Sequence, residues 1–330
     1  MLPAASSTCK YNVSSHFEGE GVEGVAATDK NDQVKLKHRL LAVTWFAMLL
    51  HAPNAMPSSE PFAELSLTLP AGTLFKGAFS PNGKSFYFFR EASDEGEDYR
   101  IFVIHETDGI WSSENLLEFG DDYSDLYPTI SPEGHVLVFS SYRPIPGSSE
   151  PSPIANLWLS RRVDDDWSQP EFLEKYSTPE NYDAGSTFAP DGQLHFQSTS
   201  PDWSETTHYR VNYVDGQLSG PGTAVDMTAL ANWRKQELYF WGATLSPKQD
   251  VWIAEYSPLD EDGRAGPSDL YHVRRFGEHW GEPQAVASDV NLPESTENFV
   301  VFGPTGEDLY FVRDFSSYYR VSLKDALRLD

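Results

Sequence analysis

Three carboxylates stand at one repeated spacing. Asp125, Asp183 and Glu297 each precede by seven residues a proline (Pro132, Pro190, Pro304) that sits in a recurring turn. Carboxylates at matched positions can hold a divalent cation, and a pair about 5–10 Å apart can share the acid and base roles of glycoside hydrolysis. Leu74 and Phe240 occupy the same offset before Pro81 and Pro247, so a ring of acids would be incomplete. Tyr142 and Arg143 follow one of the repeated strands and complete the candidate ligand-binding set of Asp125, Asp183, Glu297, Tyr142 and Arg143. The identical offsets also fit a plainer role, because Asp near a loop commonly caps a turn or accepts backbone hydrogen bonds. Catalysis needs carboxyl groups in unlike environments with unlike pKa values, whereas a repeat supplies like ones.

The turn that sets the spacing occurs five times. Its fullest form is Thr129-Ile130-Ser131-Pro132-Glu133-Gly134, and it recurs as Phe79-Ser80-Pro81-Asn82-Gly83, Phe188-Ala189-Pro190-Asp191-Gly192, Leu245-Ser246-Pro247-Lys248 and Phe302-Gly303-Pro304-Thr305-Gly306. The prolines are 51, 58, 57 and 57 residues apart. A period a little above fifty with several short strands per unit fits a β-propeller blade and is too long for most helical solenoids. Each unit runs strand, Ser-Pro turn, strand, long loop and third strand; four units add a tight polar turn and a fourth strand. Asp108-Gly109 and Asp215-Gly216 are strong hairpin signals. The fifth unit ends after its third strand, and Phe62–Leu69 ahead of the first unit is the expected donor of the missing one, closing the ring and covering two edges. The expected fold is all-β: a five-bladed propeller of four-stranded antiparallel blades over roughly residues 60–325, with six blades as the alternative.

In such a blade the Ser-Pro and Asp-Gly turns share one face and are short. The second-to-third connections, Arg90–Tyr99, Ser140–Ala155, Ser198–His208 and Tyr256–Asp269, are long and share the other, which makes that face the expected place for recognition. Two of these loops carry acid runs, Glu91, Asp94, Glu95, Glu97 and Asp98 in one and Asp260, Glu261 and Asp262 in the other. Neither has an EF-hand pattern, and a charge run is usually a solvated surface. No cofactor is expected, with Ca²⁺ the one ion these loops could take. Trp111, Trp167 and Trp280 recur after the short turns and read as blade packing.

Composition narrows the classes further. Fifty acidic against 24 basic side chains give a net charge of −26, which argues against nucleic acid and anionic membranes as partners. No Gly-x-Ser-x-Gly elbow, His-Glu-x-x-His or phosphate-binding glycine loop occurs, and the one cysteine, Cys9, precedes the propeller. His195 and His272 lie inside strands and read as structural. Residues 1–33 read as disordered or as translated sequence upstream of the true start, and 34–55 as a signal-like segment. There the basic Lys35–Arg39 precedes the apolar run Leu40–Leu50, too short for a membrane span, with cleavage expected after Ala52 or Ala55. Residues 56–330 form the single propeller domain of this reading.

Phe139-Ser140-Ser141-Tyr142-Arg143-Pro144, followed by Asn156-Leu157-Trp158-Leu159-Ser160-Arg161-Arg162 and Trp167-Ser168-Gln169-Pro170, resembles the PD40 (WD40-like) propeller repeat of the TolB carboxy-terminal domain and related exported bacterial proteins. The resemblance covers about residues 60–325; it departs at Gln249, which replaces a turn glycine, and at Gly303, which replaces the serine. It implies a propeller and export to the periplasm or medium, but no single activity. The expected function is an exported, monomeric, non-enzymatic propeller that binds a protein, peptide or envelope glycan on its long-loop face. The alternative is a carbohydrate-active or metal-dependent enzyme, a glycosidase or lyase, with the three carboxylates at the channel mouth.

Overall fold

A computed structural model describes residues 59–61, 74–92, 98–189, 192–202, 205–235, 237–246, 248–263, 265–287 and 289–328. Five antiparallel sheets form a five-bladed propeller, as the repeat predicts. The innermost strands of blades 1 to 5 are Leu74–Phe79, Asp125–Ile130, Tyr182–Phe188, Leu238–Leu245 and Glu297–Phe302. The second strands are Ser85–Glu91, Val136–Ser141, Gln193–Thr199, Val251–Pro258 and Asp308–Arg313, and the third are Tyr99–Thr107, Asn156–Val163, Thr206–Val214, Asp269–Phe276 and Ser317–Ser322. In blades 1, 2 and 4 the outer strand is broken into two short pieces, such as Ile110–Trp111 and Asn115–Leu116, whereas in blade 3 Gln217–Val225 is continuous.

The repeated serine has a mechanical reason. Its hydroxyl accepts a hydrogen bond from the amide that begins the second strand, Ser85 (2.9 Å), Val136 (3.1 Å) or Val251 (3.1 Å), and so closes the turn. Where Ala189 and Gly303 stand instead, the backbone pairs Ala189 N to Gln193 O and Gly303 N to Asp308 O close the turn without it. Gln249, in the place of the turn glycine, takes the left-handed conformation at φ 56°. Asp108 and Gly109, and likewise Asp215 and Gly216, both have positive φ, the geometry that matches hairpin twist.

The ring closes through Ser59–Pro61, which pairs antiparallel with the last strand from Ser59 opposite Val321 to Pro61 opposite Tyr319. The predicted donor Phe62–Leu69 lies outside the described residues; the observed pairing begins immediately before it. Apolar clusters then join the blades. Phe86, Phe88 and Ile104 of blade 1 pack with Tyr310, Val312 and Tyr318 of blade 5, and Phe139 and Trp158 of blade 2 with Tyr87 and Phe89 of blade 1. The three recurring tryptophans all lie against these inter-strand clusters.

Every innermost strand carries a bulge, between Leu74/Gly77, Leu126/Thr129, Ala184/Thr187, Trp241/Thr244 and Asn298/Val301. The extra residue lies five positions before the repeat proline. It is left-handed in four blades: Tyr127, Gly185, Gly242 and Phe299. Blade 1 departs, with Lys76 at that position. Beside the bulges, hydroxyls tie neighbouring blades together, Ser186 Oγ to Tyr127 O (2.8 Å) and Thr244 Oγ1 to Val300 O (3.2 Å).

Candidate functional site

The five sequence-predicted residues sit at the ends of innermost and second strands, each tied into its own blade. Asp125 begins the innermost strand of blade 2 opposite Ser141. Arg143, just past the second strand, binds it with both terminal nitrogens, Nη1 to Oδ1 and Nη2 to Oδ2 at 3.0 Å. Nη1 also donates to Ser141 Oγ, while Nε and Nη2 donate to the two oxygens of Asp121 at 3.1 and 2.7 Å. A guanidinium has five N–H donors, and these contacts use all of them. Arg143 also lies over the Phe119 and Phe139 rings, and it is 4% exposed, so neither a donor nor a face is left for a ligand.

Burial pushes the Asp125 carboxyl up to about 6 against the pull of Arg143, and the same carboxylate holds the Arg143 guanidinium above its usual value. The fork geometry makes this a charged pair at neutral pH. Blade 5 repeats the solution. Glu297 Oε1 accepts from Arg313 Nε at 2.8 Å and from Ser295 Oγ, and Arg313 Nη2 donates to Val290 O. Asp183 in blade 3 has no cation among the described residues; its Oδ2 accepts from Ser177 Oγ (2.5 Å) and Thr178 N (3.2 Å), and burial raises its carboxyl to about 6. Tyr142 packs beside the cluster of blades 1 and 2. Among the described residues no three carboxylates, imidazoles or thiols gather at metal-binding distance.

A second group of titratable side chains lies at the centre of the ring, where the sequence reading placed nothing. Lys76, on the innermost strand of blade 1, reaches to blade 3, its Nζ donating to Thr187 Oγ1 (2.9 Å) and Gly185 O (3.3 Å). Blade 2 stands between those blades, so the side chain crosses the ring. It is 6% exposed and meets only neutral oxygens; no carboxylate among the described residues lies within ion-pair distance. Burial lowers the amine to about 8, opposed by the negative charge of Glu255. Glu255, on the second strand of blade 4, accepts from Phe299 N at 2.7 Å and is pushed up to about 7 by burial, opposed by that hydrogen bond and by Lys76. The carboxylate in turn helps burial raise the Tyr239 phenol to about 12.

Glycine makes the room. At the bulge position where blades 2 and 5 place Tyr127 and Phe299, blades 3 and 4 have Gly185 and Gly242, both left-handed. A Cβ on Gly242 would meet Glu255 Oε1 at 2.6 Å, and one on Gly185 would meet Gln197 Oε1 at 3.4 Å. Gln197 and Glu255 therefore lean over bare backbone at matched sites. Gln197 Nε2 lies 3.2 Å from His208 Nε2. Burial, with the nearby charge of Lys76 contributing, lowers His208 to about 4. At neutral pH that ring is uncharged and accepts from the Gln197 amide. Gln197 Oε1 then points away, buried and without a hydrogen-bond partner.

The residues that could have signalled this group were visible as lone charges in apolar strands: Lys76 within Leu-Phe-Lys-Gly-Ala-Phe and Glu255 within Val-Trp-Ile-Ala-Glu-Tyr. No spacing links them. Blades 1, 3 and 4 contribute one or two members each, and only ring closure brings them together.

No family model matches the chain, and no curated protein does. Solved structures do, at low similarity. A puromycin-hydrolysing peptidase of Mycobacterium tuberculosis is 13% identical, with a TM-score of 0.39, over 72% of this chain and 33% of the peptidase. A periplasmic gluconolactonase of Pseudomonas aeruginosa is 12% identical, with a TM-score of 0.40, over 72% and 64%. A putative TolB of Agrobacterium tumefaciens is 14% identical, with a TM-score of 0.38, over 76% and 90%. The chain thus spans about a third of the peptidase and less than two thirds of the lactonase. The propeller fold itself rests on the chain's own five antiparallel sheets.

The expectation of a non-enzymatic propeller that binds a protein, peptide or glycan on its long-loop face is corrected here. A propeller scaffold serves enzymes and binding proteins alike, so the fold is no ground for excluding an enzyme. In two of the three blades with the repeated acid, that acid is paired with an arginine of its own blade.

Proposed function

We propose that this protein holds a small organic anion at the centre of the ring, with Lys76 as its counter-charge and Glu255 as a proton-exchanging neighbour. The observation that carries this is a buried lysine whose amine crosses the ring and meets only neutral oxygens. A buried ammonium without an anion is costly, and an incoming carboxylate or phosphate supplies one. With the amine at about 8 and the Glu255 carboxyl at about 7, both groups change protonation near neutrality, which suits general acid and base work on a bound substrate.

Titrating the full chain with acetate and with inorganic phosphate, followed by NMR shifts, tests the proposal. Binding is expected at pH 7, weakening as pH rises through 8 because the amine loses its charge, and absent in Lys76→Met. Binding that persists in Lys76→Met, or no binding at all, would overturn it.

Two finer readings are offered with it. The blades are read as PD40-type repeats, supported by Phe139–Pro144 and Asn156–Arg162. Export to the periplasm is supported by the basic cluster and apolar run of residues 35–50. Mass spectrometry of the chain from a bacterial periplasm checks the second, with a mature start after Ala52 or Ala55 expected.

A further inference from the structure

We infer that the anion bound at the ring centre is a hydroxy acid, its carboxylate on Lys76 and its hydroxyl donating to Gln197 Oε1. The inference rests on the proposed function above and deepens it. Lys76 explains only a negative charge. Three observations specify more.

The first is an acceptor without a donor. Gln197 is 3% exposed, and its Oε1 makes no hydrogen bond although its Nε2 is held by His208. A buried amide oxygen left unpaired costs free energy comparable to a lost hydrogen bond; Asp183 Oδ1 and Glu297 Oε2 are also buried without a partner, but Gln197 Oε1 is the one set over Gly185. The second is position. Gln197 Oε1 would be 3.4 Å from a Cβ on Gly185, and Lys76 Nζ donates to the carbonyl oxygen of that same residue. Charge and acceptor therefore flank one glycine. The third is the conformation of that glycine: Gly185 is left-handed at φ +66°, in a bulge that blades 2 and 5 fill with aromatic side chains. Blade 3 instead exposes backbone, with Gln197 above it.

A simple carboxylate such as acetate would answer Lys76 and leave Gln197 Oε1 unsatisfied. Inorganic phosphate carries its hydrogens on the anionic group itself. A carboxylate with a hydroxyl on the neighbouring carbon carries an acceptor anion and a separate donor within one small molecule. No covalent step is required.

The experiment compares matched pairs on the full chain: acetate with glycolate, and propionate with lactate. In the wild type the hydroxy acid of each pair is expected to bind about fivefold tighter, the usual worth of one added hydrogen bond to a buried acceptor. In Gln197→Met that preference is expected to disappear while acetate affinity stays as it was, and in Lys76→Met all four are expected to fail. Equal binding within each pair in the wild type would overturn the inference and leave the anion site standing. Failure of every acid to bind would overturn both. The wild-type comparison needs no substitution, so a Gln197→Met protein that failed to fold would not shield the inference from this test.

Discussion

Two sets of buried charges occupy this propeller, and they are handled in opposite ways. At the ends of the strands, Asp125 faces Arg143 and Glu297 faces Arg313, each pair within one blade, in short-range geometry and with further polar partners. At the ring centre Lys76 and Glu255 sit on different blades and act on each other's charge without meeting. The first set is paired within its own blades: attraction and hydrogen bonds offset desolvation, and of its carboxylate oxygens Glu297 Oε2 is the one buried without a hydrogen-bond partner. The second is incomplete in isolation. Burial of a charge therefore does not distinguish structure from function in this molecule; the identity of the partner does.

The sharpest break in that comparison would come from Arg143→Met. It leaves Asp125 and Asp121 without their cation, and a loss of about 3–5 kcal/mol is expected from chemical denaturation at pH 7, as for any buried pair stripped of one member. Ligand binding by the folded fraction should be unchanged. A loss below about 1 kcal/mol would show that the pair is not the structural unit described here.

Next in size is a pH effect. Glu255 has a folded value of about 7 against 4.5 in the free group, so the folded state holds the proton more tightly than the unfolded chain. Its destabilisation is absent below pH 4.5 and grows as pH rises towards and through 7. Glu255→Gln removes it, and the variant should match the wild type near pH 4.5 and exceed it by roughly 3 kcal/mol near pH 8. Asp125 and Asp183 are raised in the same direction but contribute equally to both proteins and cancel in the difference.

A smaller effect is expected at Gly242. Alanine there must adopt φ +65° with its Cβ 2.6 Å from Glu255 Oε1. A destabilisation of about 2 kcal/mol is expected from thermal melts, from left-handed backbone and displaced carboxylate together. Lys76→Met should change stability least, within about 1 kcal/mol at pH 7 and in the stabilising direction, because it removes an amine whose charge burial disfavours. The contrast with Arg143→Met is the comparison in its simplest form: one buried cation holds the fold, and the other only serves what binds there.

Much of the architecture could be read before any coordinates. The Ser-Pro turns gave blade number and strand order because a hydroxyl bonding the fifth residue onwards is a local device, written within six residues as Ser131 and Val136 show. The Asp-Gly hairpins are local in the same sense. The three carboxylates were also legible as positions, but their role was not. Arg143 lies 18 residues from Asp125 and Arg313 lies 16 from Glu297, so each pair forms only when its blade folds. The strand-end place of Arg143 beside the acids is legible in the sequence, whereas the occupation of all five of its donors is visible only in the folded blade.

By itself the sequence determined what repeats: five units, their turns and their strand order. It did so because those features rest on contacts between near neighbours in the chain. Tertiary structure alone decided which charges find partners. Lys76 and Gly185 are 109 residues apart, and Lys76 and Glu255 lie farther still. Their meeting depends on the ring closing to bring blades 1, 3 and 4 around one centre, and on two glycines whose bare backbone lets Gln197 and Glu255 lie over it.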